Sequence, residues 1–187
     1  MYRLIPLLLV LGACTATEYT SSFFPDTITL QPQEDGTSTW IAESLSEYDR
    51  ILIQPFVVYF HPNVQYDAID PNELDNLVMQ MRGAAIESLD DDYLLASEPG
   101  PGVLLIEVAL TNLHEQALTG LGLETAIVEM RGIGSQNGRL EIVAQNRQAL
   151  RGLSLTGSDE KRWADARLVA QEGANWLKQQ LDRAGGE

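Results

Sequence analysis

The chain has 187 residues, enough for one ordinary domain. Its 12 Lys+Arg against 27 Asp+Glu give a formal net charge of -15, which excludes binding that relies on basic residues, whether to nucleic acid or to anionic lipid headgroups. Hydrophobic residues make up 44% of the chain, enough for a buried core, and the lone cysteine excludes an internal disulfide and any cysteine-based zinc or iron–sulfur site.

At the N-terminus Arg3 stands alone as a positive charge before residues 4–11, an apolar run too short to span a bilayer core of ~30 Å. Leu11-Gly12-Ala13-Cys14 follows and resembles the lipobox of bacterial lipoproteins. The resemblance implies that residues 1–13 are a signal peptide cut before Cys14, and that the Cys14 thiol and the new amine carry acyl chains. It implies anchoring that one chain alone does not give. Thr15 stands where an Asp marks inner-membrane retention in Gram-negative lipoproteins, so the class implies a periplasm-facing position at the outer membrane. Residues 14–26 read as the acylated cysteine and a Thr/Ser-rich tether, and 27–187 as a single periplasmic domain.

Along that domain, residues 27–31 alternate as a weak edge strand before a polar loop over 33–39. Residues 51–60 are almost continuously β-branched and aromatic and read as a central strand, with Pro55 demanding a bulge or an edge. Asp70-Pro71-Asn72-Glu73 opens a helix: Asp70 caps, Pro71 fits the first helical position, and Glu73 sits three residues after the cap. Leu74, Leu77, Val78, Met81, Ala85 and Leu89 form its apolar stripe, and Asp90-Asp91-Asp92 ends it. Residues 93–96 and 103–110 read as strands around the turn Pro99-Gly100-Pro101-Gly102. Residues 125–130 and 139–144 flank Asn137-Gly138, a strong hairpin signal, and alternation in the second arm points to one covered face. A last amphipathic helix over 158–183 carries Trp163, Ala166, Ala170, Ala174, Leu177 and Leu181 on one face.

These elements predict an α+β fold, a two-layer sandwich of a mostly antiparallel sheet with two amphipathic helices. The lipobox at Cys14, Ser22-Phe23-Phe24-Pro25-Asp26, Tyr48-Asp49-Arg50-Ile51-Leu52-Ile53-Gln54-Pro55, the Pro99–Leu104 turn and strand, Thr111-Asn112-Leu113 and the Ala/Trp-rich last helix occur in this order. Together they resemble the domain-of-unknown-function family 3313 of bacterial envelope lipoproteins. The hairpin tip Ser135-Gln136-Asn137-Gly138-Arg139 departs from that family's Asp-x-x-x-Gly-Glu. The resemblance implies an envelope lipoprotein and no chemistry.

Candidate catalytic signals are thin. Ser158-Asp159-Glu160-Lys161 fits the Ser-x-x-Lys of penicillin-binding enzymes, but no Lys-Thr-Gly or Ser-Asp-Asn element accompanies it, and Ser158 serves better as a helix N-cap. His61 and His114 are the only histidines, and no Gly-x-Ser-x-Gly elbow exists for a hydrolase; with Glu115 they form the one conceivable metal set. Asp90, Asp91 and Asp92 lack the twelve-residue calcium-loop pattern. Gly120-Leu121-Gly122 and Gly132-Ile133-Gly134 lack a strand–turn–helix setting and read as strand-end flexibility. Tyr59, Phe60 and Tyr66 read as core and rim.

The expected function is therefore non-catalytic: a membrane-anchored lipoprotein that binds or supports another envelope component. No catalytic residue, metal ligand or cofactor is assigned. The expected partners are the membrane, through acyl chains on Cys14, and an envelope protein with a basic patch, met at the sheet edge or the loop holding Phe60, His61 and Tyr66. The alternatives are a periplasmic hydrolase or metal-dependent enzyme, and a small apolar-ligand carrier, which needs an internal cavity.

Overall fold

The computed structural model describes residues 23–25, 27–60, 71–113, 127–147 and 159–185. Among the described residues an eight-stranded sheet carries two α-helices. In chain order the elements are β1 (Gln31–Pro32), β2 (Thr37–Ile41), a short 3-10 helix (Glu43–Glu47), β3 (Arg50–Ile53), β4 (Val57–Phe60), α1 (Pro71–Asp90), β5 (Leu94–Leu95), β6 (Val103–Leu113), β7 (Ile127–Gly134), β8 (Leu140–Asn146) and α2 (Asp159–Gly185). The sheet order is β1-β2-β8-β7-β6-β3-β5, with β4 also paired to β6. The pairs β1–β2, β2–β8, β8–β7 and β7–β6 are antiparallel, while β3, β4 and β5 pair parallel. This is the α+β sandwich that the pattern predicts.

Pro55 acts as expected. Lacking an N–H, it breaks the run into β3 and β4, which both follow β6. Ile53 pairs with Ile106 and Val57 with Ala109, so three residues on one strand face two on the other, and the extra one is a bulge. The turn at 99–102 does not close a hairpin, because β3 lies between β5 and β6 and pairs with both. At the chain's start the strand comes later than the alternation predicts. β2 falls within and beyond the expected loop, after a turn in which Asp35 accepts from the Thr37 amide at 3.0 Å and hydroxyl at 2.6 Å.

Both helices pack on one sheet face. The core joins Met81, Ala85 and Leu89 of α1 and Ala174, Trp176, Leu177 and Leu181 of α2 to Ile51, Ile53, Ile106, Val108, Met130 and Ile142 of the strands. Met81, Ala85 and Leu89 of α1, with Val78 packed against the core, and Ala174, Leu177 and Leu181 of α2 fall where helical spacing expects them; the side chains of Leu77, Trp163, Ala166 and Ala170 lie outside those described.

The second face is covered as well, which alternation in β8 does not predict. Val143, on that face, has no exposure. Phe23, 3% exposed, lies here with its ring 4.5 Å from the Arg131 guanidinium and 6.1 Å from the Tyr59 ring. Arg131 also donates to the Phe23 carbonyl at 2.7 Å and to Glu107 at 2.6 Å. Phe23, upstream of Thr27, is thus packed on the sheet.

Ile106 is fully buried and Met79 is 70% exposed. Ile106→Ala should therefore cost ~2–5 kcal/mol in urea unfolding, whereas Met79→Ala should stay within ~0.5 kcal/mol of the parent.

Candidate binding cleft at the motif-bearing end of the sheet

Three motifs far apart in sequence meet where β3 and β6 begin. The Asp49 and Arg50 amides donate to the Gly102 carbonyl at 3.0 and 3.1 Å, and the Arg50 guanidinium donates to the Pro101 carbonyl. Gly102 has φ 69°, a backbone state that glycine adopts without steric cost, and a side chain there would strike the Asp49 carboxylate. The Ser135 hydroxyl donates to the Gly100 carbonyl at 2.6 Å and accepts from the Gly100 amide at 3.1 Å. The Pro-Gly turn is thereby clamped to the hairpin tip.

Beneath the tip sits a buried acid. Ile133 pairs with Leu140 and Gly132 with Ile142, so Glu141 is the bulged residue of β8, and its side chain has no exposure. It accepts from the Ser44 hydroxyl at 2.5 Å, the Arg139 guanidinium at 2.8 Å and the Tyr48 hydroxyl at 3.0 Å. Burial alone would raise this carboxyl, but the three donors and the charge of Arg139 outweigh it and hold it below the ordinary 4.5. Tyr48 in turn accepts from the Asn137 amide at 3.3 Å, and burial beside Glu141 pushes its hydroxyl above the ordinary 10.0. Gly134 leaves room for this ring, since an added methyl would overlap the Tyr48 hydroxyl. Gly132 likewise admits Ile142 and Leu104. Gly132 lies inside β7 and Gly134 is its last residue, and both serve close packing rather than the flexibility expected of them.

Next to this knot opens a cleft of about 270 Å³, half-enclosed, between the 3-10 helix, the start of β3, Tyr93 and the C-terminal turn of α2. Leu45, Ile51, Leu104, Leu181 and Ala184 give it an apolar floor, and Ser46, Asp49 and Arg50 a polar rim. Its aromatic walls are held by hydrogen bonds: Tyr48 as above, and Tyr93 donating to Asp182 at 2.6 Å. Lys178 pairs with Asp182 at 2.8 Å and Asp92 at 3.2 Å, so Asp92 is committed to an ion pair. The Lys178 and Tyr93 hydrogen bonds keep the Asp182 carboxyl below 3.8.

The arrangement suits insertion of a side chain. The volume falls under the ~300–1,000 Å³ of small-molecule pockets. Between the layers, the void lined by Phe56, Met81, Val108 and Trp176 is about 10 Å³, room for one water at most and none for a carried ligand. Among the described residues no group of three or more His, Cys, Asp or Glu is placed to hold a metal ion. Cys14, His61, Tyr66, His114, Glu115, Ser158 and the glycines 120 and 122 lie outside the described residues. Phe60 is the last residue of β4, where Val57 and Tyr59 are 40% and 41% exposed. The cleft is absent from the sequence expectations. Its one textual signal is that the Tyr48-Asp49-Arg50 and Pro99–Gly102 motifs lead into strands and Asn137-Gly138 joins two.

Fold and site define an α+β domain with a small, half-open, apolar-floored cleft. The chain belongs to the family described as "Protein of unknown function (DUF3313)", whose model matches residues 20–166. No curated protein matches it in sequence. Among solved structures it is similar to a putative neuraminyllactose-binding hemagglutinin homolog from Helicobacter pylori, at 8% identity and TM-score 0.47 over 87% of this chain and 91% of that one. It is also similar to a DUF4136 family protein from Bacteroides thetaiotaomicron, at 13% identity and TM-score 0.45 over 81% and 97%. A PelC dodecamer from Paraburkholderia phytofirmans is similar at 12% identity and TM-score 0.37 over 73% and 96%. The family match indicates no enzymatic family.

Two outcomes test the knot. Tyr48→Phe keeps the ring but strips one donor from a buried carboxylate and an acceptor from Asn137, so it should cost ~1–3 kcal/mol in chemical unfolding. Acid should weaken the fold in a defined direction. Asp35, held to about 2 by Thr37 and Arg183, joins Glu141 and Asp182 below the ordinary 3.8–4.5. The unfolded chain then binds protons first, so their stabilisation is complete above about pH 4.5 and is lost as pH falls toward 2. Glu141→Gln should flatten that fall in a pH series of urea midpoints.

Proposed function

We propose that this chain is a non-catalytic envelope lipoprotein, acylated at Cys14 and facing the periplasm at the outer membrane, that acts by binding another envelope component. The observation that carries this reading is Leu11-Gly12-Ala13-Cys14, which closes a short apolar run with the only cysteine of the chain. Phe23 supports it from the folded side. The chain is pinned to the sheet nine residues after Cys14, and a fully extended chain of that length reaches at most about 30 Å. Acyl chains at Cys14 thus hold the domain near the membrane surface and raise its effective concentration for a neighbour there. The formal charge of -15 favours a partner with a basic patch.

Growth of a Gram-negative host with an alkyne-tagged palmitate tests the anchor. The expected result is label on the wild-type chain, co-sedimentation with outer membranes, and loss of both in Cys14→Ser. An unlabelled wild type, or a Cys14→Ser variant that still takes label, would overturn it. In-cell crosslinking of the two forms then reads the binding half, with a protein neighbour captured by wild type and lost from Cys14→Ser.

A further inference from the structure

An apolar corner stays open on the sheet face away from the helices, where the N-terminal segment lands. Phe56 and Val58 pack against the core, so Val57 and Tyr59 of β4 take the opposite face, where they are 40% and 41% exposed. The Tyr59 ring lies 6.1 Å from the buried Phe23 ring, and half-buried Phe24 lies 5.4 Å from that same ring. The charges beside Phe23 are spent on each other. Arg131 pairs with Glu107 at 2.6 Å, and Glu129, two positions back along β7, is buried and accepts from Gln145 at 2.9 Å. Well-exposed carboxylates stand at the other end of the sheet, with the Asp49 and Asp92 side chains 73% and 53% exposed. Val57 pairs with Ala109 and Arg50 with Val103, so the two ends are about 20 Å apart along β6.

The position of this corner in the chain says what it meets. Phe23 follows Cys14 by nine residues. An anchor at Cys14 therefore keeps Phe23 within about 30 Å of the bilayer in every orientation of the domain. At that range a contact too weak to hold lipid from solution is made repeatedly. We propose that Phe24, Val57 and Tyr59 form a patch that rests at the headgroup level of a zwitterionic phospholipid surface. The inference rests on the anchored reading above, and it adds a second, orienting contact to the anchor. A tyrosine at that depth keeps its ring on apolar matter and its hydroxyl in water. Glu18 and Asp26 flank the patch in sequence and are repelled by anionic headgroups, which is why the surface is zwitterionic. With this corner down, the cleft and its exposed carboxylates are held off the membrane.

The test couples the full-length chain through Cys14, its only cysteine, to maleimide-phosphatidylethanolamine in phosphatidylcholine nanodiscs. Methyl NMR follows Val57, with Met79 on α1 and Leu94 on β5, 70% and 69% exposed, as references. The expected result with a nitroxide-headgroup lipid in the disc is loss of the Val57 signals to paramagnetic broadening, while those of Met79 and Leu94 persist. Tyr59→Glu should level the three, because the domain then turns freely on its leash. If Tyr59→Glu does not fold, Phe24→Glu is held to the same criterion. Persistence of the Val57 signals, equal loss of all three, or undiminished selectivity in a folded variant would each overturn the patch. Val57 shifts that grow with the number of chains per disc, without nitroxide, would put a second copy there and overturn it as well. The coupling is chemical and needs no processing in a cell. An unlabelled Cys14 therefore sinks the anchored reading while the patch is still scored, and a failed patch leaves the anchor standing.

Discussion

A carboxylate with no exposure to water dictates the build of this domain's working end. Glu141 is ionised where burial opposes ionisation, so its donors must be present and must stay: Ser44, Tyr48 and Arg139 supply them from the 3-10 helix, its exit and the hairpin. Each bond fixes a different piece of chain. Ser44 draws the connection between β2 and β3 across the sheet end, Tyr48 sets the entry to β3, and Arg139 fixes the strand leaving the tip. Gly134 is the complement of this constraint, because the Tyr48 hydroxyl occupies the space a side chain would need. The cleft follows from the same bonds, with Tyr48 as one of its walls.

The remainder of the sheet obeys a simpler rule. Helices cover one face with Met81, Ala85, Leu89, Leu177 and Leu181. The other face is closed in part by Phe23, whose ring lies against the Arg131 guanidinium while Arg131 pairs with Glu107. One arginine thus neutralises a strand carboxylate and fastens the N-terminal segment. In so acidic a chain this use of cations as internal ties has a consequence at the surface, where the excess charge is carboxylate.

Sequence periodicity carried the two helices, the Pro55 break and the Asn137-Gly138 hairpin, because each is decided by residues within a few positions of one another. The α1 stripe at Met81, Ala85 and Leu89 is local in this sense, and so is the restriction that proline puts on its own strand. The knot is not. Tyr48 and Glu141 are 93 positions apart, and a glutamate alternating with Leu140 and Ile142 reads as a solvent-facing residue until the bulge turns it inward. The burial of Val143 was hidden for a related reason, since Phe23 covers that face from far upstream. The same holds for β5 and β6. A proline–glycine turn between two apolar runs reads as a hairpin connection, and only tertiary pairing puts β3 between them.

The size of the cleft limits how strongly it could hold anything by itself. Burial of one large apolar side chain contributes ~1.5–3 kcal/mol, and a rim charge pair in water adds ~0–1 kcal/mol. Association costs at least ~4 kcal/mol of translational and rotational freedom, so such a cleft forms no lasting complex between two proteins free in solution. For any two proteins already held at one surface the balance differs, because a contact made at an effective concentration near the millimolar range no longer bears the full cost. Phe23 enters on the sheet face opposite the helices, toward the Tyr59 end of β6, and the cleft opens on the helix face at the Val103 end. The segment at Phe23 is therefore fastened to the sheet away from the cleft.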